Sequence, residues 1–325
     1  MKHLIFRRAL IATLTGLTVL AVQAQTTTAV WPAKTVKIVN NFPPGGPSDT
    51  IARSMADVLQ TSLKQPVIVE NKAGASGNIG ADQVAKSPAD GYTILFGIDT
   101  TFTVNPHIYK SMPFKAGDLK PVMIIASSGL LVGAHPSTGF KTLGDLIAAG
   151  KVKSLNFSSA GAGSPGHLAA EVFTDAAGVK INHIPYKGNT PAVMAVLAGE
   201  VDAGVLATPG MLPHVKAGKI NALAVTSSQR SQLAPEIPTV AEVGLKGLEQ
   251  EVLYVAMVPA ATPEPVVLAI QRAFTEALAR PEVRARLTSL DLHHEGVTGA
   301  AAGKRLTETS DRYAKVVKAT GMKVE

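Results

Sequence analysis

Short β-branched segments alternate along this chain with segments of helical periodicity, and this alternation restricts the fold more than any other feature. Residues 35–39, 67–69 and 92–96 have strand character, and helical patterns with Gly or Pro turns separate them. Between residues 154 and 226, three strand–helix units follow one another. Because such units connect by right-handed crossovers, the sequence predicts an α/β fold with parallel sheet.

Two long extended stretches, residues 121–134 and 251–259, flank this block, and the tail after residue 262 returns to helix. A sheet domain that is inserted into another one through two crossing strands leaves a cleft between two lobes. We therefore expect a two-lobed α/β protein in which each lobe is a mixed or parallel sheet flanked by helices. The predicted boundaries are residues 25–128 plus 255–325 for lobe 1 and residues 129–254 for lobe 2.

The N-terminus has the pattern of an export signal. Lys2, Arg7 and Arg8 form a basic start, residues 9–22 are uncharged and mostly apolar, and small residues precede a cleavage point near Ala24. The apolar run is shorter than the roughly 20 residues that a membrane span needs. The sequence therefore predicts a signal peptide over residues 1–24 and a periplasmic mature protein.

Composition excludes several classes of protein. Without cysteine, the chain has no disulfide, thiolate metal site or cysteine nucleophile. With 46% hydrophobic and 17% charged residues it is not disordered, and with 5% aromatic residues and no basic run it is a poor candidate for nucleic-acid binding. No histidine pattern predicts a metal site. The net charge of +7 is compatible with an anionic ligand.

The segment Pro44-Gly45-Gly46-Pro47-Ser48-Asp49 joins a predicted strand to a predicted helix. Free amides at Gly45, Gly46 and Ser48, placed at a helix N-terminus, would form a concavity that binds an anion. Asp49 would repel a carboxylate, so we expect it to bond loop amides or a donor group of a ligand. The structural alternative is a tight turn with Ser48 as a helix cap.

A second glycine-rich loop, residues 161–166, matches the G-x-G-x-x-G pattern of dinucleotide-binding proteins. An exported nicotinamide-dependent oxidoreductase that uses this loop is the alternative function, and Arg7-Arg8 could then mark a twin-arginine signal. Against it, the next strand ends at Ile184-Pro185-Tyr186, where a ribose-binding acid should stand. Ser164 is excluded as a hydrolase nucleophile because Pro165 has no N–H for an oxyanion hole.

Other candidates lie near predicted strand ends. His167 could face the cleft as a donor, and Tyr186 could line the pocket. Asp202 could orient loops, and Thr100 and Thr101 offer hydroxyls after a strand. For each, a structural role is the alternative: a satisfied buried histidine or aspartate, or a threonine that bonds turn backbone.

Several motifs resemble, in order, those of the tripartite tricarboxylate transporter receptors, the Bug group of periplasmic solute-binding proteins. They are Phe42-Pro43-Pro44-Gly45-Gly46-Pro47-Ser48-Asp49, the segment from Val69 to Gly80, Asp90-Gly91-Tyr92-Thr93, Ser159-Ala160-Gly161-Ala162-Gly163-Ser164, His183 to Gly188, and Pro238 to Glu242. The resemblance covers the predicted mature chain. The chain departs from the family at Asn40-Asn41, where an apolar residue and Pro are usual, and at Leu253-Tyr254-Val255.

The resemblance implies a type II, Venus-flytrap periplasmic binding protein. Such a receptor closes over a small organic carboxylate, is not an enzyme, uses no cofactor and is commonly a monomer. It delivers its ligand to the membrane permease of a tripartite tricarboxylate transporter. The expected ligand-binding residues are Phe42, Pro44, Gly45, Gly46, Ser48, Asp49, Asn78, Thr100, Thr101, Ser159, Ala160, Gly161, Ser164, His167, Tyr186 and Asp202.

Overall fold

Two β-sheets, each flanked by helices, make up residues 31–324, the part of the chain that a computed structural model describes. The predicted signal peptide, residues 1–24, lies outside the described residues. Within them, every helix is too short or too polar to cross a bilayer. The predicted two-lobed α/β class is confirmed.

The strands are β1 Val36–Asn40, β2 Val67–Asn71, β3 Thr93–Ile98, β4 Leu119–Ser128, β5 Leu130–Ala134, β6 Leu155–Ser159, β7 Ile181–Pro185, β8 Ala203–Ala207, β9 Asn221–Val225, β10 Val252–Pro259 and β11 His293–Thr298. The helices are α1 Pro47–Leu63, α2 Asn78–Ala85, α3 Thr100–Thr103, α4 Asn105–Ile108, α5 Leu143–Val152, α6 Pro165–Ala177, α7 Asn189–Ala198, α8 Thr208–Lys216, α9 Glu264–Ala279, α10 Pro281–Ser289 and α11 Gly299–Thr320. Helix α5 and strand β11 were not predicted from the sequence.

The first sheet has the strand order β11-β4-β10-β3-β1-β2. Strands β1, β2 and β3 are parallel, as the sequence predicts, and β10 runs antiparallel between β3 and β4. Helices α1 and α9 bury one face of this sheet: Ile51, Met55 and Phe274 are almost fully buried against Ile38 and Phe96. Burying a side chain of this kind contributes about 1.5–3 kcal/mol relative to leaving it exposed.

The second sheet has the order β7-β6-β8-β5-β9. Strands β6, β7 and β8 are parallel, as predicted from the βα units, whereas β5 runs antiparallel between β8 and β9. Helix α6 covers one face, where the Phe157 and Phe173 rings lie 6.3 Å apart. The predicted parallel sheet did not include β5, because this strand precedes the strand–helix units from which the sheet was predicted.

The predicted extended stretch at residues 121–134 is two strands in different sheets. Strand β4 ends at Ser128 and β5 begins at Leu130, so Gly129 alone joins them. A Cβ at residue 129 would lie 2.5 Å from Ser227 Oγ, so this close crossing requires glycine. The chain returns from the second sheet to the first near Gln250, whose amide donates to Thr226 O at 2.9 Å. The lobe boundaries at residues 128–129 and 254–255 stay a prediction.

Candidate functional site

A cavity of about 640 Å³ lies where strand ends of the two sheets meet the loops that follow them. Its floor consists of strand residues: Ile98, Ser128, Leu130, Val205, Leu206, Ala207, Val252 and Tyr254. Its walls consist of the loops at residues 41–48, 73–77, 160–166 and 187–191. The volume is within the usual range for small-molecule sites.

The N-terminus of α1 forms one wall. Gly46 is the N-cap, Pro47 begins the helix, and among the described residues no side chain caps this turn. The first amides of a helix lack intrahelical acceptors and carry its positive dipole end. Gly46, Pro47 and Ser48 all line the cavity, so this helix end is available to an anion.

Asp49 holds this wall in place from behind. Its Oδ2 accepts the Gly45 amide at 2.9 Å, and its Oδ1 accepts from Arg53 at 3.0 Å and from Asn71 at 2.8 Å. Burial raises the pKa of Asp49, but these donors outweigh burial, so the pKa lies below its usual value. The Gly45 amide is therefore occupied, which corrects the expectation that it is free for a ligand.

The N-terminus of α6 forms the opposite wall, and Ala160, Gly161, Ser164 and Gly166 line the cavity there. Ser164 is the N-cap, and its Oγ accepts the His167 amide at 3.4 Å. A Cβ at residue 166 would lie 2.3 Å from Val205 O, so glycine is needed for α6 to pack on β8. Helix–strand packing therefore accounts for this position of the glycine pattern without a dinucleotide.

The N-terminus of α7 forms a third wall, which the sequence analysis did not assign to the site. Gly188 is the N-cap, and Asn189, Thr190 and Pro191 line the cavity beside it. Of the described residues that line the cavity, only Lys187 carries a charge. The motif Gly188-Asn189-Thr190-Pro191 does predict a helix start, but its place at the cleft depends on tertiary structure.

A stacked histidine pair supports the loop before α6. The His167 and His183 rings are 3.9 Å apart and nearly parallel. His167 Nδ1 accepts the Gly163 amide at 3.0 Å, and His183 Nε2 lies 2.6 Å from Ser159 Oγ. Burial and then His167 lower the pKa of His183 to about 3, so it is neutral at physiological pH. His167 and Ser159 thus hold the loop and do not line the cavity.

The loop at residues 73–77 contacts the opposite wall directly. Ser76 Oγ donates a hydrogen bond to Ala162 O, across the cavity. Ser76 O accepts from Thr101 Oγ1 and from Asn105 Nδ2, both at 3.0 Å. Ala75 and Ser76 have positive φ angles of 47° and 50°. Their side chains gave no sequence signal for this contact because both are common small residues.

Three predicted residues lie behind this loop. Thr100, Thr101 and Asn78 are almost fully buried, and none is among the described residues that line the cavity. Thr101 Oγ1 also accepts from Asn41 Nδ2 at 3.2 Å, and Asn78 Oδ1 accepts from Asn105 at 2.8 Å. The expectation of direct contact is corrected: these side chains point into the core, because α3 begins at Thr100. Thr101 and Asn78 support the loop through their hydrogen bonds, whereas no such bond to a described residue is seen for Thr100.

Two further expectations are corrected by the placement of the residues. Tyr186 lies outside the cavity lining, and its hydroxyl donates to Glu200 at 3.3 Å. Asp202 precedes β8, at the opposite end of that strand from the cavity, where its Oδ2 accepts the Asn156 amide at 2.7 Å. Both side chains therefore organise the second sheet. The predicted residues that do line the cavity are Phe42, Pro44, Gly46, Ser48, Ala160, Gly161 and Ser164.

Metal chemistry finds no support in the described part of the chain, where no group of three or more His, Asp or Glu side chains is arranged to hold an ion. The cavity walls offer backbone amides, hydroxyls and one lysine. Such an arrangement can bind an anion.

Comparisons with known proteins agree with this architecture. The model of the tripartite tricarboxylate transporter family receptor matches residues 51–322. Protein BugT of Bordetella pertussis is 36% identical over 299 residues, which cover 91% of this chain and 92% of BugT.

Solved structures show the same likeness. An R. palustris protein with adipate has a TM-score of 0.85 and 30% identity, covering 90% of this chain and 99% of that chain. MatC from Rhodopseudomonas palustris with bound malate has a TM-score of 0.80 and 28% identity, covering 88% of this chain and 99% of MatC. The resemblance inferred from the motifs is confirmed: the chain belongs to the tripartite tricarboxylate transporter receptor family.

Proposed function

We propose that this protein is a periplasmic receptor that binds one small organic carboxylate in the cavity between its sheets. The observation that carries the proposal is the convergence of three helix N-termini, those of α1, α6 and α7, on one cavity. Each N-terminus is equivalent to roughly half a positive charge, and backbone amides there favour anions. The relatives solved with adipate and malate support the same ligand class.

The charge of the lining supports this assignment. Lys187 is the one charged side chain among the described lining residues, and Asp49, the nearest acid of the loop, is already bonded to Arg53 and Asn71. A carboxylate that enters the cavity therefore meets donors. The proposed grip consists of the amides of Gly46, Ser48, Ala162, Asn189 and Thr190 and the hydroxyls beside them, with Lys187 at the rim. The amides of Gly161, Gly163, Ser164 and Gly188 already bond within the protein.

Closure is the proposed mode of action. The sheets are joined at Gly129 and before β10, and we assign lobe 1 to residues 25–128 plus 255–325 and lobe 2 to residues 129–254. Ligand contacts to both lobes favour the closed state, because a ligand shifts such an equilibrium only through its better contacts with one state. We further propose export through residues 1–24 and delivery of the closed complex to a membrane permease, without chemical turnover.

Calorimetric titration of the exported protein, unfolded and refolded to remove carried-over ligand, tests the proposal. The panel holds succinate, malate, adipate, citrate, hexanoate, benzoate and NAD⁺. We expect saturable binding of at least one carboxylate and none of NAD⁺. Binding of NAD⁺ alone would overturn the receptor assignment and support the oxidoreductase alternative.

A variant locates the site. Gly46 has φ −77°, and a Cβ there meets only Pro43 O at 3.8 Å, so Gly46→Val is compatible with the fold but crowds the α1 N-terminus. We expect at least a roughly tenfold loss of carboxylate affinity, since several amide contacts depend on close approach. Gly117→Val is the matched control, because a Cβ at this exposed glycine meets nothing within 4 Å. Equal affinities in both variants would place the anion elsewhere.

A further inference from the structure

The floor of the cavity differs in chemistry from its walls. The walls present helix N-termini, whereas the floor is mostly aliphatic: Ile98, Leu130, Val205, Leu206 and Val252. Its polar groups are the hydroxyls of Ser128 and Tyr254. A ligand whose carboxylate lies at the walls therefore extends its body over an apolar surface toward two hydroxyls.

Both hydroxyls are deeply placed. Ser128 Oγ is buried next to the Tyr254 hydroxyl. Tyr254 is 3% exposed, and its pKa is raised to about 12 by burial and by Asp99, while the nearby Ser128 hydroxyl acts in the opposite direction. Because a buried hydroxyl loses free energy when its hydrogen bonds are incomplete, a polar group of the ligand that pairs with the Tyr254 hydroxyl is favoured.

A buried acid lies directly behind this floor. Asp99 follows the floor residue Ile98, and its Oδ1 accepts the amide of Leu253, the neighbour of Tyr254, at 2.9 Å. Its Oδ2 accepts from Thr103 Oγ1 at 3.2 Å. Burial raises the pKa of Asp99 to about 6, so the side chain is largely ionised at neutral pH. Its negative charge opposes a second anion at the floor.

The cations nearest Asp99 lie outside the described cavity lining. Arg305 and Arg312 interact with Asp99, but neither is among the described residues that line the cavity. Arg305 is already paired with Glu295 at 2.6 Å and with Glu251 at 3.2 Å. A second ligand carboxylate at the floor would thus lose its hydration without a cationic partner, which is costly.

We infer that the ligand is a monocarboxylate with an apolar body and an uncharged hydrogen-bonding group at its far end, in contrast to the dicarboxylates bound by the relatives described above. The inference rests on the proposed function, because it takes the amide walls as the carboxylate site. It assigns selectivity to Tyr254, Ser128 and Asp99, of which the sequence analysis had named only Tyr254, as a departure from the family pattern.

Three six-carbon acids of matched length test the inference: hexanoate, 6-hydroxyhexanoate and adipate, titrated calorimetrically at pH 7.5. We expect 6-hydroxyhexanoate to bind at least roughly tenfold more tightly than adipate, because only adipate brings a second charge to the floor. Tyr254→Phe should weaken 6-hydroxyhexanoate roughly three- to tenfold and leave hexanoate unchanged, as expected for one lost hydrogen bond. Tyr186→Phe, which removes a hydroxyl outside the cavity, is the matched control.

Asp99→Asn tests the electrostatic cause. The amide keeps an acceptor for the Leu253 N–H, so the ratio of adipate affinity to hexanoate affinity should rise in this variant, with folding checked by circular dichroism. Adipate binding more tightly than both monoacids in the unmodified protein would overturn the inference and leave the proposed function standing. Binding of other carboxylates of the panel without binding of either monoacid would likewise overturn the inference and leave the proposed function standing. Absence of binding by every carboxylate would instead overturn the proposed function.

Discussion

At the scale of single residues, the stacked pair of His167 and His183 shapes the loop at the α6 wall. His167 Nδ1 acts as an acceptor for the Gly163 amide, a role that only an unprotonated nitrogen can fill. His183 lies against Ser159, whose Oγ also accepts the Gly161 amide at 3.2 Å. Two amides of the loop therefore depend, directly or through Ser159, on this pair.

The pair predicts a dependence of stability on pH. The pKa of His183 is about 3 in the folded protein against about 6.5 for an ordinary histidine, so the unfolded chain binds more protons between these values. The contribution of neutral His183 to the free energy of unfolding is fully present above about pH 6.5, and it is lost progressively as the pH falls toward 3. Because His183 is only half-buried, we expect this group to cost about 1–2 kcal/mol between pH 7 and pH 5.

Urea unfolding of the wild type and of His183→Gln at both pH values measures this contribution. The variant lacks the titrating imidazole, so its loss of unfolding free energy between pH 7 and pH 5 should be smaller by about the same 1–2 kcal/mol. An equal loss in both proteins would show that His183 does not carry the dependence.

Lys187 predicts a salt dependence of ligand binding. Lys187→Gln should weaken carboxylate binding by about threefold at low salt, the range of an exposed charge interaction, and the difference should shrink in high salt. Titration at two salt concentrations measures it, and Lys180→Gln, an equal charge change at an exposed residue away from the cavity, is the control. A loss of the same size in both variants would refute a local role for Lys187.

Residue types near turns were predictable, whereas their partners were not. Ser164 is the N-cap of α6, a position with a local signal, whereas the N-cap of α1 is Gly46 and not Ser48, the cap suggested by the sequence. Both Gly46 and Ser164 line the cavity. Asn41 shows the limit: it lines the cavity, and its Oδ1 would lie 2.2 Å from a Cβ at Gly97. Only the packing of two parallel strands brings these residues together, so neither is informative in the sequence alone.

At the scale of elements, the contact of α6 with α4 and α11 joins the two halves of the molecule. Leu168 on α6 is fully buried in one cluster with Val104, Ile108, Tyr313 and Val317. Since α6 follows a strand of the second sheet and α11 follows a strand of the first, this cluster links the lobes beside the cavity. It adds an apolar contact to the covalent crossings.

Leu168→Ala should therefore lower the free energy of unfolding by about 2–5 kcal/mol, the usual range for a buried leucine. Leu268→Ala is the matched control, since Leu268 on α9 is 44% exposed and its truncation should change stability by well under 1 kcal/mol. Chemical denaturation of both variants measures the difference. Similar values for the two would contradict a role for this cluster in holding the lobes.

The elements themselves follow closely from sequence where their signals are local. Helix α6 has Ser164 as its N-cap, Pro165 at its first position and Gly178 after its end, residue types that are typical of helix starts and ends. The sequence did not predict the position of α7 at the cavity or the antiparallel insertion of β5. Both depend on how segments distant in the chain pack or pair. The role of Thr101 agrees with the structural alternative given for it, since its hydroxyl donates to Ser76 O.

At the scale of the whole molecule, the bond from Ser76 to Ala162 O spans the cavity and is present only when its two walls meet. We expect Ser76→Ala to raise the ligand dissociation rate roughly three- to tenfold, the effect of one hydrogen bond, with little change in the association rate. Stopped-flow mixing measures both rates. Ser289→Ala, at an exposed serine of α10, is the control. A change confined to the association rate would contradict this role in closure.

Strand order has a consequence for how the chain acquires its structure. Strand β10, residues 252–259, lies between β3 and β4, so the first sheet stays in two pieces until this late segment has been made. Pairings between segments so distant in sequence form slowly, since their loop entropy is lost before any contact is gained. Synthesis from the N-terminus therefore completes the second sheet, residues 130–225, before the first. Such a delay agrees with the proposed export, in which the polypeptide is threaded through a translocation channel before it becomes compact.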